Sequence, residues 1–379
     1  MRNEIIPLYY PTDKMLVKSE GCYLYDSDGK MYVDFESGVW CANIGHSNAR
    51  IAEVVRQQAK ECIHHGYRFR NQFSETLSKE LQRLIGFSGG ASVFLSSGSE
   101  AVNLAITISR TLTGRNKILK ISSSYLSAYG FGQISSANTD LVNVEFDDPD
   151  SIKSIDFNEI SALVLETGCA SIGMVRFPDF GFVSQLAEYV KKNNCLIIAE
   201  EVTTGIGRLG KWFGFQYYDV VPDIVVAGKA LGNGFPISAV TLSSGMVEKF
   251  GQSGLFYAQS HQNDPFGCAV GLEVIKIIEE ADLISISNAV GIYFKERLDQ
   301  IVDNHKDKVE QARARGLMLA LEFKEGFDGK SISDLLFDSG YVVGFKFNTL
   351  RFLPPLTIKT RDIDKLIDQL DVLLAHRSY

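Results

Sequence analysis

The sequence predicts an α/β protein, with a mainly parallel sheet of seven strands covered by helices and a smaller α+β lobe after it. Three observations point there. Short, β-rich apolar runs recur between residues 91 and 242, helix-length amphipathic segments separate them, and strand-like runs beyond residue 309 lead into one terminal helix. Runs this short and this apolar suit strands buried on both faces, as in sheets whose crossovers are helical.

The strand candidates are 91–95, 117–121, 141–146, 162–166, 195–200, 223–227 and 237–242. Helical spacing of apolar residues marks 48–64, 75–85, 99–113, 182–192 and 266–280, and 283–302 reads as a long helix leading away from the sheet. The last lobe has strand-like runs at 316–323 and 340–347 and a helix at 361–375. Near the start, runs at 21–25 and 31–35 flank the turn Asp26-Ser27-Asp28-Gly29 and are expected to pack on the C-terminal lobe. The expected organisation is an N-terminal segment (1–48), a large domain (49–282) and a small domain (283–379).

A chain of 379 residues is long enough for one large core and a satellite. Its 45% apolar and 22% charged residues are those of a chain that packs a core. The net charge of −8, with no basic cluster beyond Arg313 and Arg315, argues against a nucleic-acid partner. Six scattered cysteines, without a C-x-x-C pair or metal-ligand spacing, read as buried thiols of a reducing compartment and predict no metal site. Residues 1–10 lack a secretory h-region, and no stretch approaches the roughly 18 apolar residues of a membrane span. A cytoplasmic protein without membrane contact is expected.

Three segments carry chemistry. In Leu95-Ser96-Ser97-Gly98-Ser99-Glu100-Ala101 a strand turns into a helix, whose free N–H groups and dipole suit a phosphate, with Ser97 and Ser99 adding hydroxyls. Ser99 as an ordinary N-cap is the alternative. In Ile197-Ile198-Ala199-Glu200 a carboxylate lies at the end of a buried strand, where open α/β sheets bind ligands. A salt-bridged strand end reads equally well. In Val226-Ala227-Gly228-Lys229-Ala230-Leu231-Gly232-Asn233-Gly234 a lysine follows an apolar strand and precedes a glycine-rich loop. Lys229 is there either an amine of depressed pKa, suited to Schiff-base formation, or a snorkelling surface lysine.

In this order and spacing the segments resemble the class III aminotransferases of the fold type I pyridoxal 5'-phosphate (PLP) enzymes, over residues 15–356. Ser97-Gly98-Ser99-Glu100-Ala101 is similar to the family's phosphate turn, Glu200-Glu201-Val202-Thr203-Thr204-Gly205 to its carboxylate motif and Ala227-Gly228-Lys229-Ala230 to its Schiff-base motif. Asp34-Phe35-Glu36-Ser37-Gly38, with Gly45-His46-Ser47, resembles the amino-terminal signature.

The resemblance implies a Schiff base on Lys229, Glu200 beside the pyridine nitrogen, and amino transfer between an amino acid or amine and a keto acid or aldehyde through a pyridoxamine intermediate. It implies Tyr125 stacked on the cofactor ring, Val202 on the other face and Thr203 near the phenolic oxygen. Ser260 would reach the phosphate from the neighbouring subunit, so a homodimer with shared sites follows. Arg351, in Arg351-Phe352-Leu353-Pro354-Pro355, would clamp a substrate α-carboxylate with its planar fork. Trp40 falls where the family lines its substrate pocket, a core tryptophan being the alternative.

The chain also departs from the pattern. Glu200 replaces the usual Asp, and Thr203 the usual Gln. Ala128 stands in place of an Arg, which weighs against an acylated ornithine as substrate. Ser171 stands where many ω-aminotransferases keep a Glu that pairs with the carboxylate-binding Arg, so Arg351 is expected to be free for an α-carboxylate. Two rivals stay open: an amino-acid racemase or epimerase on the same fold, and a PLP-binding protein without turnover.

Overall fold

The computed structural model describes residues 6, 8, 12–133, 138–172 and 174–376. The reading of residues 1–10 thus falls almost wholly outside the described residues. A seven-stranded sheet forms the centre, built from β4 (Ala91–Leu95), β5 (Lys117–Ile121), β6 (Leu141–Val144), β7 (Ile160–Glu166), β8 (Leu196–Glu201), β9 (Ile224–Ala227) and β10 (Ser238–Leu242). Its order is β4-β10-β9-β8-β7-β5-β6. Only β10 runs antiparallel to its neighbours.

Every residue of β7, β8, β9 and β10 is buried, as a sheet covered on both faces requires. The two faces alternate with the pleat. Ala162 and Val164 of β7 pack with the helix Gly98–Thr113, and Leu163 and Leu165 pack with the helix Phe180–Lys192. A larger cluster joins the helices Gln72–Ile85, Pro265–Glu280 and Leu283–Asn304 to the C-terminal elements.

Two smaller sheets complete the chain. One combines β1 (Leu16–Glu20), β2 (Tyr23–Asp26) and β3 (Met31–Asp34) with β13 (Tyr341–Val342), so the first strands join the C-terminal region. The other has the order β11-β12-β15-β14, from Val309–Arg315, Met318–Phe323, Thr349–Phe352 and Gly344–Lys346 respectively. The sequence reading missed β1, β11 and β15, and the last of these carries Arg351.

Directly after β3 the chain does something L-residues resist. Ser37, Gly38, Val39 and Trp40 all have positive φ, of 42°, 58°, 59° and 68°. Hydrogen bonds from Trp40 N to Glu36 O (2.7 Å) and Cys41 N to Ser37 O (3.0 Å) close a left-handed helical turn. Each non-glycine residue in such a turn costs about 1–2 kcal/mol. Asp34 helps to hold it, its Oδ1 accepting from Glu36 N (2.8 Å) and its Oδ2 from Gly38 N (2.9 Å), with His46 Nε2 2.7 Å from the same Oδ2.

Arg208 holds the turn from beneath. Its side chain is fully buried, and Nη2 donates to Ser37 Oγ at 3.0 Å and to Asn43 Oδ1. Nη1 donates to Leu317 O at 3.1 Å and to Pro354 O. One guanidinium thereby joins the N-terminal segment, the loop after β8 and the C-terminal sheet.

Two stability outcomes follow. Arg208→Met, which keeps the stem but removes the donors, is expected to cost about 3 kcal/mol or more, because several buried acceptors lose their partner together. Thermal unfolding measures this, and a loss under about 1 kcal/mol would mean that water satisfies those acceptors. In the turn, Val39 is 64% exposed and gains little from burial. Val39→Gly should therefore hold or raise the unfolding midpoint, whereas Gly38→Val should lower stability by about 1–2 kcal/mol. Equal losses from both changes would show that the left-handed turn carries no strain.

Candidate active site

The C-terminal ends of the central strands meet the N-terminal end of one helix. β8 brings Glu200 and Glu201 there, both buried. Glu201 belongs to the scaffold, since it accepts from Thr204 Oγ1 (2.5 Å), Gly214 N (2.8 Å) and Phe215 N (2.7 Å). Glu200 accepts only from Val202 N, at 3.2 Å, and has no ion-pair partner within 4 Å among the described residues. Burial, and next the neighbouring Glu166, push its carboxyl well above the usual range, with Lys229 opposing. Glu166, opposite Glu200 in the β7–β8 register, is itself pushed up to about 7 by burial, although Tyr125 N (2.8 Å) and Ala170 N (3.1 Å) donate to it.

Lys229 opens the 3-10 turn Lys229–Gly232 just beyond β9. Its Nζ donates to Thr203 Oγ1 at 2.9 Å and lies 5.0 Å from the centre of the Trp40 ring. Burial pulls its pKa below the ordinary lysine value, against the attraction of Glu200. This is no snorkelling lysine. Its amine is part-buried, of lowered pKa, and within the electrostatic reach of a buried carboxylate.

The turn after β4 leads into the helix Gly98–Thr113. Ser97, not Ser99, is the N-cap, its Oγ accepting from Glu100 N at 3.2 Å. Ser99 Oγ instead accepts from Ala128 N at 2.9 Å, which ties the turn to the loop carrying Tyr125. Val202 packs on this turn so closely that a Cβ on Gly98 would lie 2.6 Å from Val202 Cγ1. Glycine is required there by that approach, and Val202 in turn bridges the helix start and Gly228. Tyr125 is half-buried, and Glu200 contributes to the upward shift of its pKa, second to burial.

Arg351 is where the expectation fails. It is not free. Its Nε and Nη2 each lie 3.3 Å from an oxygen of Glu36, and the two side chains are only 16% and 13% exposed. Trp40 Nε1 also donates to Glu36, at 3.3 Å, and the Arg351 guanidinium lies 4.5 Å from the Trp40 ring centre. Trp40 is buried, yet its ring has Lys229 and Arg351 as neighbours, so it is part of the core and of the site wall at once. Glu36 is the site residue that sequence reasoning missed. It lay inside the amino-terminal signature, but nothing local pointed it at residue 351.

Ser260 is exposed on the segment before the helix Pro265–Glu280, and Ala128 is exposed beside the turn that opens the helix Gly98–Thr113. The fold also gathers His64 and His261 around Asp264, each with Nδ1 2.7 Å from the shared carboxylate, a group of metal-ligand residue types that spacing did not reveal. Hydrogen bonding to Asp264 accounts for both imidazoles.

A depressed-pKa amine, a buried carboxylate lacking a cation and a helix start with unpaired N–H groups can together take a phosphorylated carbonyl compound carrying a protonated ring nitrogen. The comparisons with known proteins agree. The profile of the family described as aminotransferase class-III matches residues 9–139 and 148–374. The acetylornithine aminotransferase of Caldanaerobacter subterraneus subsp. tengcongensis is 32% identical over 381 residues, covering 95% of this chain and 94% of that protein. A Bacillus anthracis aminotransferase has the same fold, with a TM-score of 0.89 at 23% identity over 98% of this chain and 96% of that one. A PLP-bound aminotransferase mutant from Vibrio fluvialis gives a TM-score of 0.90 at 21% identity over 97% and 95% of the two chains. The chain therefore belongs to the class III aminotransferases, a PLP-dependent family.

Proposed function

We propose that Lys229 is the residue on which this PLP-dependent aminotransferase holds its cofactor and with which it carries protons to and from the substrate. The observation that carries the reading is that Lys229 and Glu200 lie within electrostatic reach of each other without forming an ion pair. Glu200 is a buried carboxylate with one backbone donor and no cation within 4 Å among the described residues, and such a group fits the protonated nitrogen of a pyridine ring. The cofactor, when bound, supplies a carbonyl carbon for an amine and a ring that withdraws electrons from the substrate.

The remaining roles belong to the chain. The N–H groups opening the helix Gly98–Thr113, with the hydroxyls of Ser97 and Ser99, would hold the phosphate. Tyr125 and Val202 would bound the ring, and Thr203 orients the Lys229 amine through their 2.9 Å hydrogen bond. Because burial lowers the Lys229 pKa, its amine gives up a proton more readily than an ordinary lysine and would carry one to and from the substrate. Ser260, exposed in a single chain, would serve the phosphate of a neighbouring subunit, so the working unit is read as a homodimer. Among the described residues no helix is long and apolar enough to cross a membrane, and we place the enzyme in the cytoplasm.

The donor is an amino acid or amine and the acceptor a keto acid or aldehyde. Curated relatives named acetylornithine aminotransferases suggest an ω-amine, but Ala128 cannot supply the cation that the resemblance expects at that position. A donor panel added to the holoenzyme and read by absorbance tests the whole reading. Productive donors should convert the bound cofactor to its amine form, and a keto acid should restore the starting spectrum. Loss and regain of the Cα proton without that conversion would favour a racemase.

Two variants test the assignments. Borohydride treatment followed by peptide mass analysis should place the reduced cofactor on Lys229, and Lys229→Ala should carry no label and show no turnover. Glu200→Ala should lose roughly a hundredfold or more in kcat/KM, the scale of a lost electrostatic partner at a reacting group. Full activity in Glu200→Ala would remove Glu200 from the role.

A further inference from the structure

Amino transfer in two half-reactions asks one pocket to take two different molecules in turn, and Arg351 is the pocket's only expected anchor for a carboxylate. That anchor is occupied by the protein's own Glu36. The pair is bidentate in form but long, 3.3 Å at both contacts, against about 2.7–2.9 Å for a tight charge-assisted pair. Glu36 spreads the same carboxylate over a third contact, Trp40 Nε1, also at 3.3 Å. Each contact is loose enough to be exchanged for a shorter one.

The pair has a place made for it. Gly344 of β14 lies opposite Arg351 of β15 in the sheet register. A Cβ on Gly344 would fall 2.2 Å from Glu36 Oε1 and 2.6 Å from Arg351 Nε, so a glycine is needed at 344 for the two side chains to meet. Glu36 itself is set by the left-handed turn, because Asp34 Oδ1 accepts from the Glu36 backbone N–H at 2.8 Å as the turn begins. The Trp40 ring, with Lys229 5.0 Å and Arg351 4.5 Å from its centre, puts the pair within a small substrate's length of the amine.

We propose that Glu36 is a specificity-determining residue: while it occupies Arg351 the pocket favours amino donors whose pocket-facing end has no carboxylate, and a carboxylate substrate enters by taking Arg351 from Glu36. This rests on the aminotransferase reading above and adds to it the residue that sets substrate class. The negative charge missing at Ser171 is supplied from the N-terminal segment. Displaced Glu36 cannot stay buried and ionised without its cation, so it must turn toward water or take a proton, and carboxylate substrates bear that cost in KM.

The test uses the holoenzyme and acetate as the carboxylate probe, with binding read by calorimetry. Glu36→Gln keeps the shape and removes the charge. It should bind acetate about tenfold more tightly than wild type, the weight of one charge-assisted contact. For the α-amino acid selected by the donor panel KM should fall in the same variant, while KM for 1-butylamine should stay or rise. Arg351→Gln should abolish acetate binding in both backgrounds. Should Glu36→Gln fail to fold, Glu36→Asp, which retracts the carboxylate by one methylene, should tighten acetate in the same direction by a smaller factor.

Unchanged acetate affinity in a folded, cofactor-loaded variant overturns the proposal, as does an equal change of KM for both donors. If the wild type transfers no amino group and acetate still binds more tightly to Glu36→Gln, the functional reading falls and this one stands. If transfer proceeds and the acetate affinities agree, the reverse holds.

Discussion

Among the described residues, one guanidinium without a carboxylate partner organises the molecule around the site. Arg208 is fully buried and answered only by neutral oxygens, and burial pulls its pKa down to about 9. Taking such a group out of water is costly, and only several good acceptors at once make it tolerable. Those acceptors come from residues 37, 43, 317 and 354, so the cost is met only when the N-terminal segment and the C-terminal sheet are both docked. Two further bonds repeat the link, with the Leu317 backbone N donating to Arg208 O at 3.1 Å and the Asn43 side-chain Nδ2 to Ile206 O at 3.0 Å. Arg208 also ends the segment that begins with Glu200 and carries Val202 and Thr203. The residues proposed to face the ligand and the clamp are thus one short stretch of chain, and fixing one end fixes the other.

The left-handed turn depends on that clamp. Four successive positive-φ residues, one of them β-branched, would not persist in an isolated peptide. Here the Ser37 hydroxyl donates to Leu353 O (2.7 Å) and accepts from Arg208, while Asp34 takes two of the backbone N–H groups. The surroundings over-determine the turn, which is the condition under which backbone strain survives at a functional site. What the strain achieves is placement. A right-handed turn would carry Glu36 and Trp40 away from each other's present positions, and with them the neighbours of Arg351 and Lys229.

Much of this was legible in the chain and the illegible part has a common cause. The central strands were found to within a few residues, because an apolar run bounded by helices reports burial on both faces directly. The helix starting at Gly98, the strand-end Glu200 and the lysine beyond β9 were found because each is a local junction with its own composition. The errors lie where contacts are long in sequence. Glu36 and Arg351 meet from two different sheets, so the reading that left Arg351 free had no local sign to stop it. Ser99 had an N-cap role as its alternative reading, but the cap is Ser97, two residues earlier, and Ser99 is left to accept from Ala128 N. The turn at 37–40 was invisible for the opposite reason, since Val39 and Trp40 locally prefer almost any other conformation.

Glu200 in place of the family's Asp is best judged against the other buried carboxylates nearby. Glu201 is answered by three donors, Glu166 by two backbone N–H groups and Glu36 by an arginine. Glu200 is answered by one. In a folded protein a buried carboxylate is left short of partners only where something else completes it or where it holds a proton. Its neighbour Glu166 makes the unliganded ionised state still less favourable, and Lys229 opposes that effect. The site therefore has a standing demand for a cation at the end of β8. A longer side chain offers its carboxylate about one bond further from the strand than Asp would. Glu200 thus keeps the carboxylate that the resemblance expects at the strand end, on a longer arm.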